Sequence, residues 1–384
     1  MNILITTPTF PPFNSGLGNA VRLQALMLGQ CGVKVTIATH GERRETLLHP
    51  EGYSIERFAV TGANFLATPL KGDVCGYTQY LKQSRFDLIL MNAWQNWAAD
   101  IVLNNLRDIA GKKVMFSHGL ATNILTSTNW FRSLARYVLW RPYAWRLKGI
   151  LRTLDGFFVL APDGCDSRFD DLRLAKRLKV PFHVIPNALP DYTLNSMPSN
   201  LPWEKRRGLI AIGAYHWTKG HDFVLRAYAK SQAKNRETLT FYGQSATVEL
   251  RALERLANSL GIESKWVKFK EDLSSHELVP AYQNARLFLS GSHTECQPLT
   301  VLDSMALGTP FVARATGCLP LMAGGITVRS EQEMALEIDR LRDEVAFTKL
   351  ANAGVAEAEH THHPDQVKHR LWNSLKNVLR ACGS

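Results

Sequence analysis

The chain predicts an α/β fold built from two successive parallel sheets, and three observations carry that reading. Short β-branched runs alternate with helical stretches, the alternation is interrupted once by a segment rich in Pro, Ser and Asn, and 384 residues suffice for two domains of ordinary size. Parallel strands need crossover helices over both faces, so each half should bury its own sheet.

The first alternation opens with a β-branched strand from Asn2 to Thr6, a Gly/Pro loop from Pro11 to Gly18, a helix from Asn19 to Gln30 and a strand from Val33 to Thr39. This is a βαβ unit with glycines at its first turn. Further strands are expected at Ile55 to Val60, Leu88 to Met91, Lys113 to Ser117, Gly156 to Leu160 and His183 to Ile185. The stretch ALPDYTLNSMPSNLP after Asn187 reads as a linker. Beyond it, strands at Gly208 to Gly213, Leu239 to Tyr242, Lys265 to Phe269, Ala285 to Ser290, Phe311 to Ala313 and Ile326 to Val328 alternate with helices. Those helices are His221 to Gln232, Thr247 to Leu260, Ser275 to Asn284 and Thr300 to Leu307, and a last helix lies around Val367 to Ala381.

Composition narrows the class. Six cysteines lie scattered without metal-ligand spacing, so neither a disulfide framework nor a zinc site is expected. The cluster His360, His362 and His363 has no Cys or carboxylate at ligand spacing and reads as a solvated loop, so no metal is expected there. The opening MNILITTPTF has no basic, apolar signal pattern, and no run approaches the ~20 apolar residues of a membrane span, which points to the cytoplasm. A net charge of +11 needs a partner. No nucleic-acid motif is present, so no nucleic-acid partner is expected. Between Trp130 and Arg152 the chain sets Arg132, Arg136, Arg141, Arg146, Lys148 and Arg152 among Phe131, Tyr137, Trp140, Tyr143 and Trp145. That mixture fits the inner face of an anionic membrane. It equally fits a helix packed on its own domain with a solvated basic face.

The chemistry concentrates between Ser290 and Gly308, SGSHTECQPLTVLDSMALG. Glu295 falls in the loop after a strand and Asp303 in the first turns of the helix that follows. Backbone amides near Gln297, Leu299 and Thr300 would lie at that helix N-terminus, where unpaired donors and the macrodipole favour a pyrophosphate. Asp303 could accept two hydrogen bonds from a ribose diol. On spacing alone, Glu295 is as readily a plain loop residue and Asp303 a solvated helix carboxylate.

The run from Glu295 to Ala313 matches E-x-x-P-L-x-x-L-[ED]-x-M-A-x-G-x-P-x-V-A, and the chain thereby resembles the retaining GT-B glycosyltransferases of glycosyltransferase family 4. Asp303 stands where that family usually has Glu. The resemblance implies two Rossmann-like domains whose parallel sheets face a central cleft. These would be residues 1–190 on the acceptor side, joined by a C-terminal helix at 365–384 crossing back, and residues 191–364 on the donor side. Pro11-Pro12 to Gly18 matches P-P-x-x-x-G-x-G, which puts Gly16 and Gly18, beside Asn14 and Asn19, opposite the donor. Gly213 to Gly220 matches G-R-x-x-x-x-K-G, with Lys219 at the diphosphate; Ala214 replaces the expected Arg, and His216 or Arg314 are its candidate substitutes. His118 takes the place of the family's histidine beside the donor sugar. Ile185-Pro186-Asn187 matches a structural P-N turn.

Catalysis is therefore expected from Glu295, His118 and Lys219, and donor binding from Gly16, Gly18, Gly213, Lys219, Gln297, Leu299, Thr300 and Asp303. Trp94, Asn96 and Trp97 follow the strand ending at Met91 and are candidates for stacking on and bonding to an acceptor; they are also candidates for a helix start packed on its neighbours. The implied reaction transfers a hexosyl unit from a UDP- or GDP-linked sugar to a glycan or lipid-linked acceptor, with retention, without a metal, in polysaccharide or glycoconjugate synthesis. Base recognition would use backbone near Tyr242 to Ser245 and Lys270 to Leu273. A nucleotide-sugar epimerase and a non-catalytic nucleotide-sugar-binding protein are the alternatives.

Overall fold

The computed structural model describes residues 1–12, 15–121, 130–197, 201–244 and 248–381. Asn14, Ser245, Thr247 and Cys382 lie outside the described residues, as do the side chains of Trp130 and Arg132. The chain forms two compact units: Met1–Ala188 with Pro364–Ser384, and Leu189–His363.

The first unit is organised by one eight-stranded sheet. In spatial order its strands are His183–Val184, Gly156–Val159, Lys112–Ser117, Leu88–Asn92, Asn2–Thr6, Lys34–His40, Ser54–Phe58 and Glu45–Leu48. Every pair is parallel except the last, where Glu45–Leu48 runs antiparallel along the edge. The central strands ILI and LILM are fully buried, as strands covered on both faces must be. The order reverses between Asn2–Thr6 and Leu88–Asn92, the position where open α/β sheets leave a crevice at their carboxyl ends. The helix Pro364–Arg380 belongs to this unit and buries Val367, Leu371, Leu375 and Val378, one face at helical spacing. Its Lys368 Nζ donates to Gln30 Oε1 at 3.0 Å, at the end of the helix Gly16–Gln30.

That helix starts at Gly16 rather than Asn19. Ser15 is its N-cap, and its Oγ accepts from the Gly18 amide at 2.9 Å, so both glycines fall in the first turn instead of in a free loop. A Cβ on Gly18 would stand 3.2 Å from the Thr9 carbonyl oxygen, so the turn is closed tightly against the loop after the first strand.

The second unit holds six parallel strands in the order Val267–Glu271, Leu239–Gly243, Leu209–Ile212, Leu287–Ser290, Phe311–Arg314 and Gly325–Val328. Leu209, Leu239, Phe241, Leu287 and Val312 pack with Val224, Tyr228 and Met334 into one apolar core. Each such side chain contributes about 1.5–3 kcal/mol on burial. The order here reverses between Leu209–Ile212 and Leu287–Ser290.

Two sequence expectations change. The stretch after Asn187 is no free linker: Asp191–Leu194 is helical, Thr193 is fully buried, and the Leu189 amide donates to His362 O at 2.9 Å. The histidine cluster is no solvated loop either, because Ala358–His362 forms a π-helical turn with His362 buried.

Candidate active site

In the second unit the two strands that flank the reversal deliver two loops to the same carboxyl edge. The strand Leu209–Ile212 ends in the loop carrying Gly213 and Lys219; the strand Leu287–Ser290 ends in the loop carrying Glu295. Gly220 and Gly291 bring these loops into backbone contact, since a Cβ on either would lie 2.0 or 2.1 Å from the other's carbonyl oxygen. Gly220 also needs its left-handed φ of 58°, which suits glycine as it turns the chain into the helix His221–Lys230. The His293 amide then donates to Thr218 O at 2.8 Å.

Across this junction Lys219 Nζ meets Glu295 Oε1 at 2.7 Å. The Lys219 side chain is 36% exposed and that of Glu295 16%, so the pair stands at the surface of the crevice with its lysine accessible. Beside it, the helix Leu299–Ala306 begins at Pro298 without a side-chain cap, and the amides of Leu299 and Thr300 have no acceptor among the described residues. Pro298 occupies the N-cap rather than a helical position, so its missing N–H removes nothing from the first turn. Gln297 is buried just before it.

Three residues that sequence reasoning passed over or only touched complete this edge. Arg314, at the end of its strand, places Nη1 2.8 Å from His293 Nδ1 and its guanidinium over the Phe223 ring. Burial and the Arg314 charge both hold the His293 pKa down. His221 is buried, and its Nε2 lies 3.2 Å from the carbonyl oxygens of both Gly213 and Ala214, fixing the loop where Arg was expected. His216 is exposed and bonds Thr218 Oγ1, so of the two candidate substitutes for the missing Arg it is Arg314 that is built into the loop pair.

Asp303 departs from expectation. It is 5% exposed, Thr193 Oγ1 donates to its Oδ1 at 2.6 Å and the Tyr192 hydroxyl to its Oδ2 at 3.0 Å. Burial raises its pKa to about 6, against the pull of those two hydroxyls. It is thus not a solvated carboxylate, and each of its oxygens accepts one hydroxyl. Its partners lie 110 and 111 residues away in the chain.

In the first unit His118 follows the strand Lys112–Ser117, partly exposed, stacked on Phe116. Its Nε2 lies 2.9 Å from Asn92 Oδ1, and desolvation lowers its pKa to about 3. The turn after Asn92 carries two non-glycine residues at positive φ, Ala93 at 63° and Gln95 at 61°. The three acceptor candidates there are spent on structure. Trp94 is buried with Nε1 donating to Asp171 Oδ2 at 2.6 Å; Asn96 caps the helix Trp97–Asn104 through the Ala99 amide; Trp97 packs edge-on against Tyr77. The packed-helix-start alternative describes all three.

Residues 130–152 form two helices, Trp130–Leu139 and Arg141–Thr153. The second buries Tyr143, Leu147, Ile150 and Leu151 and exposes Arg146, Lys148 and Arg152. The first leaves Phe131, Leu134 and Val138 exposed on one face, and on the second Trp145 is 75% exposed. Among the described residues no helix is long and apolar enough to cross a membrane, and no group of three His, Cys, Asp or Glu could hold a metal ion.

Residues 206–344 match the family model described as Glycosyl transferases group 1. That match spans a little over a third of the chain. It contains both loops, the ion pair and the helix start described above. D-inositol 3-phosphate glycosyltransferase of Corynebacterium jeikeium is 33% identical over 120 residues, which are 30% of this chain and 28% of that protein. The protein of the same name from Thermobifida fusca is 36% identical over 120 residues, 29% of this chain and 27% of its own. The matched part thus spans under a third of those relatives' length. Solved structures extend the likeness over the whole chain. Sucrose-phosphate synthase from Thermosynechococcus elongatus superimposes with a TM-score of 0.75 at 18% identity, covering 99% of this chain and 100% of that one. Anabaena HepE in complex with UDP-glucose gives 0.71 at 16% identity, covering 98% and 100%. The fold of the chain is therefore GT-B.

Proposed function

We propose that the chain is a retaining glycosyltransferase that moves a hexosyl unit from a UDP- or GDP-linked sugar to a glycan or lipid-linked acceptor, in polysaccharide or glycoconjugate synthesis. The observation that carries this reading is the Lys219–Glu295 pair at the carboxyl edge of the second sheet, beside two unpaired helix-terminal amides. In this reading the unit Leu189–His363 holds the donor and the first unit the acceptor.

The pair consists of two partners that each exchange the other for a ligand group. A bound diphosphate would draw the Lys219 ammonium away from Glu295, and the carboxylate so released would accept from hydroxyls of the transferred sugar. As the glycosidic bond to the diphosphate breaks, negative charge grows on the leaving phosphate oxygens. Lys219, Arg314 and the Leu299 and Thr300 amides are positioned to stabilise that charge more than they stabilise the ground state. They supply the positive charge that Ala214 lacks, and the mechanism calls on no metal. Asp303 serves as a positioning residue that ties the helix Leu299–Ala306 to Thr193. His118, neutral and with one ring nitrogen committed to Asn92, is assigned to a hydroxyl of the donor sugar; Gly16 and Gly18 let the first helix turn approach a ligand closely. A panel of UDP-, GDP- and ADP-sugars, read by release of the nucleoside diphosphate and by the anomeric configuration of the product, tests the reading. Turnover of one donor with retention is expected; binding of none of them overturns it.

We also assign the helix Trp130–Leu139 to the surface of an anionic bilayer. From Trp130 to Leu154 the chain has no acidic residue, and the two helices that expose Phe131, Leu134, Val138 and Trp145 also expose Arg136, Arg146, Lys148 and Arg152. Such a face enters the headgroup boundary while each nearby cation adds about 1 kcal/mol on acidic lipid. Replacing Phe131 and Trp145 together by Ser is expected to lower partition onto phosphatidylserine vesicles by about thirtyfold or more, each exposed aromatic being worth more than about 1 kcal/mol. Equal sedimentation of variant and parent with the vesicles would refute this.

A further inference from the structure

The role given to His118 leaves open which ring nitrogen carries its proton, and the first unit answers this with a residue that the functional reading does not use. Asn92 ends the strand Leu88–Asn92 beside the reversal of strand order, and it is fully buried. Its Oδ1, an oxygen that can only accept, lies 2.9 Å from His118 Nε2. Its Nδ2 is buried without a hydrogen-bond partner. A buried amide normally has both ends engaged, because an unpaired donor costs about 1–3 kcal/mol.

We infer that Asn92 is a positioning residue that locks His118 as the Nε2–H tautomer, leaving Nδ1 as a hydrogen-bond acceptor for a ligand hydroxyl and the Asn92 Nδ2 as a donor held in reserve beside it. The two groups then complement a polyol: one accepts a hydroxyl proton, the other donates to a hydroxyl oxygen. Three features support the lock. The ring is stacked on Phe116 at 5.0 Å between centroids and 22° between planes, which restricts its rotation. Phe116 is itself the register partner of Asn92, so the amide stands on the strand next to the one that leads into His118. Desolvation of the ring nitrogens lowers the pKa to about 3, so the ring is neutral through the physiological range, and a neutral imidazole is the only form with an accepting nitrogen. The turn that follows Asn92 is strained at Ala93 and Gln95, and Asn96 Nδ2 ties it back to Ala93 O at 2.7 Å. The backbone that carries the amide is therefore fixed by its own turn.

The inference rests on the glycosyltransferase reading for its ligand, but not for its geometry, and the test separates the two. The ring nitrogens of His118 are read by ¹⁵N chemical shift in the full chain, in the parent and in Asn92→Leu and Asn92→Asp, together with kcat and KM for whichever donor of the panel turns over. The parent is expected to show the Nε2–H tautomer. Asn92→Leu, similar in volume and without the acceptor, is expected to mix the tautomers and lower kcat roughly tenfold, the worth of one hydrogen bond, with KM little changed. Asn92→Asp keeps the acceptor and is expected to restore the Nε2–H signal. An Nδ1–H parent, or an Asn92→Leu variant that keeps both tautomer and turnover, overturns the inference. An Nε2–H parent that loses the tautomer in Asn92→Leu, in a chain that turns over no nucleotide sugar, supports the lock and overturns the proposed function alone.

Discussion

Lys219→Ala is expected to lower turnover of the nucleotide sugar by about a hundred- to a thousandfold, with little change in the melting temperature. The size follows from what the ammonium does in the transition state, because removing one preorganised group from a site of developing charge commonly costs that much in kcat. The small effect on stability follows from exposure. With 36% of its side chain in solvent, Lys219 forms a pair of the partly screened kind, worth about 0–1 kcal/mol. Glu295→Ala is expected to fall as far in kcat/KM, because it loses the sugar hydroxyls and leaves the lysine without its resting partner. The double variant should then lose little more than either single one, as expected of groups that act as a unit. Lys219→Arg is not a conservative control, since a planar fork cannot follow the lysine's swing from carboxylate to phosphate. Steady-state kinetics with the donor that the nucleotide-sugar panel selects, run beside thermal unfolding, measures both effects. Turnover within threefold of the parent in Lys219→Ala would sink the site.

What is legible in the sequence is legible because it is local. The strand, loop and helix from Ala285 to Leu307 follow from apolar periodicity, and Glu295 follows from its place between them. Lys219 is readable only through a motif, since a lysine before a glycine carries no chemical mark. The rest depends on chain segments far apart. Asp303 reads as a helix carboxylate open to solvent, and only Tyr192 and Thr193, in a stretch that composition labels a linker, turn it inward. Trp94 does follow its strand, yet Asp171, 77 residues on, buries its indole. Residues such as His221 and Arg314 act through carbonyl oxygens and a neighbouring ring, which leave no pattern in the sequence. Glycine at 220 and 291 is a usable signal: glycines in two loops that follow neighbouring strands of one sheet, one of them at a helix start, indicate that backbones approach there.

That approach supports the second large effect. Gly291→Ala would place a Cβ 2.1 Å from the Gly220 carbonyl oxygen, where real Cβ contacts do not fall under 3.0 Å, and the obstacle is backbone that cannot rotate away. The loops must part by nearly an ångström. The bond from the His293 amide to Thr218 O lies one residue from Lys219 and two from Glu295, so the same displacement reaches the ion pair. Overpacking of this kind costs about 1–3 kcal/mol, which for a unit of this size lowers the melting temperature by roughly 2–4 °C per kcal/mol. Loss of activity should exceed what that destabilisation explains at a temperature where the variant is fully folded, by at least about tenfold, because misplacement by an ångström can itself cost about a hundredfold. Gly29→Ala is the matched control. Gly29 lies inside the helix Gly16–Gln30, a Cβ there meets nothing within 4 Å, and the substitution is expected to stabilise by about 0.5–1 kcal/mol with activity intact. If Gly291→Ala instead melted and turned over like the parent, the two loops would not owe their register to backbone contact, and the distance between Lys219 and Glu295 would have to be set by Arg314 and His293 alone.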